Sequence, residues 1–266
     1  MSKISLRHID VIMSFRAATA ERTENLYTIL RHLDRTYTDY RLWLMEADKA
    51  PTFEWNQLQD PKVRHVFLHH TGQFPKSLLY NTGVRLASSP VICFHDADSI
   101  SDPPTLKYCV DQLFDADGSD VLCPFHSMIN VSGATKQAFV QEPDFARFSG
   151  VTTENLPEDF NLLYQSNNGC IGVFRKSEYI RVGGYNPALE GWGGEDDDLL
   201  SRGSRLGVRW HSMLTSLFHL HHDSKTREDL ITDTRESFNT VTARQSAEMP
   251  IEDLQALASR LSLFFA

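Results

Sequence analysis

The chain has 266 residues, of which 41% are hydrophobic and 23% are charged, and its formal net charge at pH 7 is −9. This length and composition are typical of a globular protein with a full core, and the acidic balance without a basic stripe excludes nucleic acid as an expected partner. No apolar run approaches the ~20 residues of a membrane span, so we expect no transmembrane segment.

Strand-like and helical patterns alternate through the first half of the chain. Strands are predicted at residues 9–14, 41–46, 64–69 and 91–94, with amphipathic helices following the first, third and fourth of them. Asp102 looks like the N-cap of the helix behind the fourth strand. This alternation predicts an α/β fold with a Rossmann-like, mostly parallel central sheet flanked by helices.

The second half is predicted to add strands to the same domain. These strands lie at residues 121–125, 171–174, 208–210 and 216–222, whereas residues 126–165 read as loops that cover a cleft. We expect residues 1–245 to form one domain. Residues 246–266 form an amphipathic C-terminal helix that packs on it.

Two carboxylates, Asp96 and Asp98, directly follow the buried strand at 91–94. The carboxyl ends of strands in an α/β sheet are where ligands bind. Two carboxylates at this edge repel each other unless a hard divalent cation lies between them, so the pair predicts a metal site. A solvated turn is the alternative, because Asp is a common turn residue.

An acidic run, residues 195–198, precedes a second helical pattern. The helix dipole stabilises carboxylates at a helix N-terminus, but four in succession exceed what capping needs. Their mutual repulsion can raise the pKa of one carboxylate and make it a general base. Glycines surround Trp192 just upstream, and the indole face of this residue is suited to stacking on a sugar ring.

A histidine cluster lies in residues 218–223, FHLHHD. In a strand, His219 and His221 share a face and can complete a metal site begun by Asp98. His222 is the alternative to His221, because the sequence does not fix where the strand ends. Mixed oxygen and nitrogen ligands suit Mn²⁺ better than a structural zinc ion.

These motifs resemble those of nucleotide-sugar glycosyltransferases with the A-type fold, from about Ile9 to His222. The similarity is to the β-1,4-galactosyltransferase and galactosyltransferase-related group, and to bacterial family 2 enzymes such as chondroitin polymerases. GWGGEDDD at 191–198 is the most specific segment, and Asp96-Ala97-Asp98 matches the DxD motif of the family. Further matches are the aromatic-Arg pair Phe15-Arg16, the Phe-x-basic segment Phe74 and Lys76 before Asn81, and the looser Asn167-Asn168-Gly169.

The resemblance implies an inverting, metal-dependent transfer of a sugar from a UDP-sugar to a glycan hydroxyl, with galactose or N-acetylgalactosamine favoured. It implies Mn²⁺, with Mg²⁺ as the alternative, held by Asp96, Asp98, His219 and His221. The remaining implied roles are Asp196 as general base; Glu195 orienting the acceptor; Trp192 and Gly194 at the acceptor; and Phe15, Arg16, Glu46, Phe74, Lys76, Asp96 and Ala97 along the nucleotide-sugar pocket.

Two features depart from the family pattern. Ser14 stands where the family usually has Pro, and no stem, anchor or signal-like segment precedes the predicted domain. We therefore expect a cytoplasmic enzyme of polysaccharide biosynthesis, whose only membrane contact is peripheral. Two alternatives are a haloacid-dehalogenase-like phosphatase, which also carries DxD after a strand, and a non-catalytic module that binds nucleotide-sugars or glycans.

Overall fold

A computed structural model describes residues 2–54, 60–115, 118–165, 169–191, 193–223 and 233–266, the last segment with side chains from residue 238 onward. Its strands are β1 Ile4–Phe15, β2 Tyr37–Asp48, β3 Val63–His69, β4 Val91–His95, β5 Ser99–Ile100, β6 Val121–Cys123, β7 Ser127–Val131, β8 Phe160–Gln165, β9 Ile171–Arg175, β10 Trp210–Ser212 and β11 Ser216–Leu220. Its helices are α1 Ala20–Thr36, α2 Lys76–Leu86, α3 Pro103–Asp115, α4 Gly133–Gln141, α5 Lys176–Arg181, α6 Glu195–Arg205, α7 Asp233–Glu248 and α8 Ile251–Ser262, with 3-10 turns at Phe145–Phe148 and Leu263–Phe265.

The central sheet has seven strands in the order β10-β6-β9-β4-β1-β2-β3. Six of them run parallel and β9 runs against its neighbours β4 and β6, so the predicted mostly parallel sheet is confirmed. The core covers both faces. Val11 and Cys93 pack on one side, whereas Ile12 and Phe94 pack on the other, because successive strand residues point to opposite faces.

The reversed strand β9 has a consequence for the polar edge of this sheet. The parallel strands β1, β2 and β4 end at one edge, and β9 begins at that same edge because it runs the other way. The backbone N–H of Asp96, just after β4, donates to the carbonyl oxygen of Cys170, just before β9, at 2.8 Å. The residues that precede β9 therefore lie directly beside the DxD turn.

Residues 126–165 differ from the sequence-based expectation of loops. They contain β7, α4, a 3-10 turn and β8. β7 and β8 pair with β11 and β5 in a second sheet of four strands, in the order β5-β11-β7-β8. The pattern was hard to read because β8 is an edge strand whose residues after Phe160 are exposed on both faces, so no alternation marks it.

The C-terminal helix α8 packs on the domain through Leu254 and Ala258, which are buried. The carbonyl of Ala258 approaches Gly183 so closely that a Cβ there would lie 2.9 Å from it. The predicted boundary at residue 245 falls inside α7, and the division into two units stays a prediction. Among the described helices, none combines the length and apolar character that crossing a bilayer requires.

Candidate active site

Asp98 forms a compact cluster with two histidines. Its Oδ2 lies 3.3 Å from Nε2 of His222 and 3.7 Å from Nε2 of His219. One ligand atom from each of the three residues can be chosen so that all lie within 4.8 Å of one another. Burial opposes ionisation of Asp98, but the two imidazoles outweigh it and hold the pKa of its carboxyl well below its ordinary value. The donor set is one that a divalent transition metal can use.

The backbone explains why His222, and not His221, joins Asp98. β11 ends at Leu220, whose N–H donates to the carbonyl of Asp98 at 2.8 Å, so the strand alternation stops before the last two histidines. His221 is exposed, and its Nδ1 lies 3.3 Å from the side-chain nitrogen of Asn130. The predicted ligand pair His219 and His221 is therefore corrected to His219 and His222.

Asp96 is held apart from that cluster. Its Oδ1 accepts a hydrogen bond from the hydroxyl of Tyr80 at 2.8 Å, and the ring of Tyr80 is buried beneath the turn. Burial raises the pKa of Asp96, and Lys76 opposes this shift. Ala97 between the two carboxylates packs against the core. Within the described residues, Asp96 is not part of the candidate metal cluster, so its predicted role as a ligand is not supported.

Lys76 is the centre of a second polar cluster. Its Nζ lies 3.2 Å from Glu195 Oε1 and 3.2 Å from Asp196 Oδ2. It also lies over the ring of Tyr80, 5.7 Å from the ring centroid. Burial alone would lower the pKa of Lys76, but the carboxylates of Asp196, Asp96 and Glu195 raise it well above its ordinary value. The lysine therefore stays charged between the two acidic motifs.

Asp196 is fixed at both carboxylate oxygens. Besides Lys76, it accepts a hydrogen bond from the hydroxyl of Tyr185 at 2.6 Å. Its side chain keeps 23% of its surface exposed, whereas that of Glu195 keeps 9%. Burial raises the pKa of Glu195, with Lys76 opposing and Asp196 adding to the shift. An oriented, partly accessible carboxylate of this kind can accept a proton from a bound hydroxyl.

The other two carboxylates of the acidic run, Asp197 and Asp198, lie outside the cluster around Lys76. Asp197 is exposed. Asp198 is fully buried, where its Oδ2 accepts from Arg202 at 2.8 Å and its Oδ1 from the hydroxyl of Ser246 at 2.5 Å. Arg202 also donates to the carbonyls of Val182 and Gly184. The four carboxylates therefore divide into two site residues, one solvated residue and one buried ion pair that fixes α6.

Gly169 and Cys170 connect the two clusters. A Cβ on Gly169 would lie 2.5 Å from Asp196 Oδ2, so the segment before β9 touches the Asp196 carboxylate directly. Cys170 has a φ of +71°, a backbone conformation that favours glycine, and its carbonyl accepts from the N–H of Asp96. A non-glycine residue in this conformation is strained, and such residues cluster at functional sites, where the surrounding structure holds them in place.

The predicted nucleotide-pocket residues fall into two groups. Arg16 lies over the ring of Phe74, 5.5 Å from its centroid, and donates to the carbonyls of Ala47 and Gly72 at 2.8 and 2.9 Å. One guanidinium nitrogen, Nη2, is buried without a partner among the described residues. This arrangement leaves a cationic donor at the carboxyl ends of the strands, and the predicted contact of Arg16 with a nucleotide stays a prediction.

Phe15 and Glu46 differ from the expectation of pocket-lining residues. Phe15 is only 3% exposed and packs within the core. Glu46 is completely buried, where Thr52 donates to it through its N–H at 2.7 Å and through its hydroxyl, and His65 Nε2 lies 2.7 Å away. The physical reason is that both residues belong to strands that are covered on both faces.

The glycine-rich loop before α6 is described in part. Trp192 lies outside the described residues, as do Asn167 and Asn168. Gly194 is the N-cap of α6 with a φ of +82°, and a Cβ there would lie 2.8 Å from the carbonyl oxygen of Asn239 in α7. This close approach explains why residue 194 is a glycine, and its predicted contact with an acceptor stays a prediction.

Comparison with known proteins finds a family match in the second half of the chain and sequence matches to part of the relatives. Residues 151–223 match the family model described as the N-terminal domain of galactosyltransferase. Over 50 residues, the chain is 38% identical to beta-1,4-galactosyltransferase 2 of Cricetulus griseus and of Mus musculus, a stretch that is 19% of this chain and 14% of each relative. The chain thus matches only a small share of these relatives, but the predicted resemblance to galactosyltransferases is confirmed.

The whole fold has solved counterparts. Glucosyl-3-phosphoglycerate synthase from Mycobacterium tuberculosis, solved with Mn²⁺, UDP and phosphoglyceric acid, superposes with a TM-score of 0.54 at 12% identity, over 92% of this chain and 80% of that chain. The chain has the A-type glycosyltransferase fold. Within it, the DxD carboxylates follow the fourth strand in chain order, which disfavours the alternative of a haloacid-dehalogenase-like phosphatase.

Some residues of this candidate site were not predicted from the sequence. Tyr80 follows Lys76 by four positions on α2, so helical spacing places both on one face and could have indicated it. Tyr185 and Cys170 gave no such signal, because Tyr185 lies in an irregular segment and Cys170 precedes a strand. Their proximity to the acidic motifs arises only from the folding of distant segments onto the sheet edge.

Proposed function

We propose that this protein is an inverting, metal-dependent glycosyltransferase that transfers a sugar from a UDP-sugar to a glycan hydroxyl. The observation that carries the proposal is a continuous series of contacts. Asp196 pairs with Lys76, Lys76 lies over Tyr80, and Tyr80 donates to Asp96 in the turn that also carries Asp98. A candidate metal cluster and an oriented carboxylate therefore belong to one site.

Mn²⁺ is the expected metal, with Mg²⁺ as the alternative. The carboxylate of Asp98 and the imidazoles of His219 and His222 fit such an ion, because their ligand atoms converge and combine oxygen with nitrogen. A bound divalent cation neutralises charge on the diphosphate of a departing UDP. The complex of the M. tuberculosis synthase with Mn²⁺ and UDP supports the same choice for this fold.

Asp196 is the proposed general base. Lys76 and Tyr185 each hold one of its carboxylate oxygens, so the group is oriented before an acceptor arrives. Its Oδ1 or Oδ2 would take the proton of the acceptor hydroxyl as that oxygen attacks the anomeric carbon. Glu195 would accept a hydrogen bond from the acceptor and position it, since it shares the same lysine.

Donor binding is assigned to the edge formed by Arg16 and Phe74. The guanidinium is fixed by two backbone carbonyls, and its Nη2 has no partner among the described residues, which supports a contact with a polar group of the nucleotide. The matched galactosyltransferase segment favours galactose or N-acetylgalactosamine as the sugar. Assembly of a polysaccharide in the cytoplasm remains our expectation for the setting.

The direct test compares Asp196→Asn with its neighbour Asp197→Asn. Turnover is measured in the presence of Mn²⁺ with UDP-galactose, UDP-N-acetylgalactosamine, UDP-glucose and UDP-N-acetylglucosamine as donors. Slow hydrolysis of the donor is the readout, because it needs no acceptor. We expect Asp196→Asn to bind UDP and Mn²⁺ like the wild type while turnover falls at least about 100-fold. Asp197→Asn should retain turnover, because its side chain is exposed.

Two outcomes would overturn the proposal. Wild-type turnover in Asp196→Asn would remove Asp196 as the base. Absence of UDP binding with every metal would remove the nucleotide-sugar assignment. The inverting mechanism is tested separately by proton NMR of the first product: an α-linked donor should give a β-linked product, and an α-linked product would contradict it.

A further inference from the structure

A second cleft lies on the face of β11 opposite the candidate metal cluster. Phe218 lines this cleft, whereas His219, the next residue, lies beside Asp98, and successive strand residues point to opposite faces. The cleft has a volume of about 630 Å³. Small-molecule sites typically measure about 300–1,000 Å³, so the cleft is large enough for a ligand of several rings.

The floor of the cleft is aromatic and rigid. The rings of Phe148 and Phe218 stack with centroids 4.5 Å apart and planes inclined by 14°, and both residues are buried. Phe145 packs edge-on against Phe218, with ring centroids 6.0 Å apart. Because these rings support one another, they form a rigid base beneath the cleft, and the half-buried ring of Phe145 is more accessible to a ligand than the two buried rings.

The walls of the cleft are polar, and His126 is the basic side chain among the described residues that line it. They carry hydroxyl and amide groups, such as those of Ser149, Thr152, Thr153 and Gln165. None of the described residues that line the cleft is lysine or arginine. The carboxylate of Asp102 is engaged in capping α3, where it accepts from the N–H and hydroxyl of Thr105 at 3.0 and 2.6 Å. Without a lysine or arginine, the described lining offers a phosphate or sulfate group no permanently charged cation.

The rim is held in place before any ligand arrives. The hydroxyl of Thr215 donates to the carbonyl of Pro124 at 2.7 Å, and the carbonyl of Thr215 accepts from the N–H of His126 at 2.9 Å. The side chain of Leu214 on this fixed loop is 90% exposed at the mouth of the cleft. A preformed rim lowers the ordering cost of binding a weak ligand.

We propose that this cleft is a second carbohydrate-binding site, which takes a neutral oligosaccharide chain. Sugar rings combine apolar C–H faces with hydroxyl groups, and the cleft combines the half-buried ring of Phe145 and the exposed side chain of Leu214 with walls rich in hydroxyl groups. Asp196 is not among the residues that line the cleft, so we assign the cleft a holding role and not a role in the transfer step. The binding of an oligosaccharide does not depend on the proposed function. Its identity as the acceptor or product of the transfer rests on that function.

The test is an NMR titration without donor or metal, using the neutral hexasaccharides maltohexaose, cellohexaose and chitohexaose. We expect at least one of them to shift the side-chain amide of Gln165 and the methyl groups of Leu214 in a saturable manner. Leu214→Asp should weaken this binding at least tenfold, and Gln165→Ala about fivefold through loss of a hydrogen bond. Leu263→Asp is the matched control, since this leucine is 70% exposed and lies after α8.

The inference fails if no hexasaccharide binds, if Leu214→Asp binds as well as Leu263→Asp, or if a sulfated hexasaccharide binds more tightly than the neutral ones. Shifts confined to Asp196 and His222 would also overturn it, because they would assign the binding to the first site. Asp196→Asn should bind the hexasaccharide like the wild type. Failure of the proposed transfer activity can thereby be told apart from failure of the cleft.

Discussion

The ammonium group of Lys76 lies 3.2 Å from a carboxylate oxygen of Asp196, and this contact joins two motifs that are far apart in the sequence. The same nitrogen lies 3.2 Å from Glu195, and its side chain is only 15% exposed. A buried lysine between two carboxylates neutralises part of their repulsion. The acidic end of α6 therefore depends on α2 for its electrostatic balance.

Replacing Lys76 with methionine should destabilise the protein. Two largely buried carboxylates would lose their cation, and breaking a buried ion pair in this way costs roughly 3 kcal/mol. The free energy of unfolding, measured by urea denaturation, is the readout. Lys76→Arg keeps the charge and should recover most of the loss, and a Lys76→Met protein as stable as the wild type would contradict this reading of the cluster.

The histidine assignment predicts a difference between neighbouring residues. His222→Gln should weaken Mn²⁺ binding at least tenfold, because it removes an imidazole that lies 3.3 Å from Asp98. His221→Gln is the matched control and should leave binding within about threefold of the wild type, since the side chain is exposed. Electron paramagnetic resonance of free Mn²⁺ measures both. Equal losses in the two variants would rule out the choice of His222.

Gly169→Ala should impair transfer more than it impairs donor binding. The new Cβ would lie 2.5 Å from Asp196 Oδ2, so the proposed base must move. A displaced catalytic group can cost roughly 100-fold in rate. Gly118→Ala is a suitable control, because a Cβ there meets nothing within 4 Å. Turnover and UDP affinity are compared, and an unchanged turnover in Gly169→Ala would argue against Asp196.

Protein stability should fall as the pH drops from 7 to 5, in part because of His32. This imidazole is buried against Tyr37 and Phe139, and burial lowers its pKa from 6.5 to about 4. The unfolded chain therefore takes up the proton first, between pH 6.5 and 4, and His32 costs about 2 kcal/mol of stability at pH 5.

His32→Gln tests this pH dependence, because it removes the titrating group from the buried site. The difference in the free energy of unfolding between pH 7 and pH 5 should become smaller in this variant. His69→Gln, at an exposed position, is the control and should keep the wild-type difference. An unchanged pH dependence in His32→Gln would show that the buried imidazole does not contribute.

The sequence alone was sufficient for the parallel part of the fold and for the two acidic motifs. Buried parallel strands such as β4 are short apolar runs, and the helices between them keep a regular apolar spacing. Both patterns can therefore be recognised in the sequence. Asp96, Asp98, Glu195 and Asp196 were found for the same reason, since each lies directly after a strand or before a helix.

Only the tertiary structure could decide which of these residues act together. The end of β11 selects His222 over His221, and the reversed direction of β9 brings Gly169 and Cys170 between the carboxylates. Burial removes Phe15 and Glu46 from the pocket, and it converts Asp198 into an ion pair with Arg202. The physical reason is that a sequence motif determines only the local backbone conformation. Metal coordination, burial and charge balance depend on segments that meet only after the chain has folded.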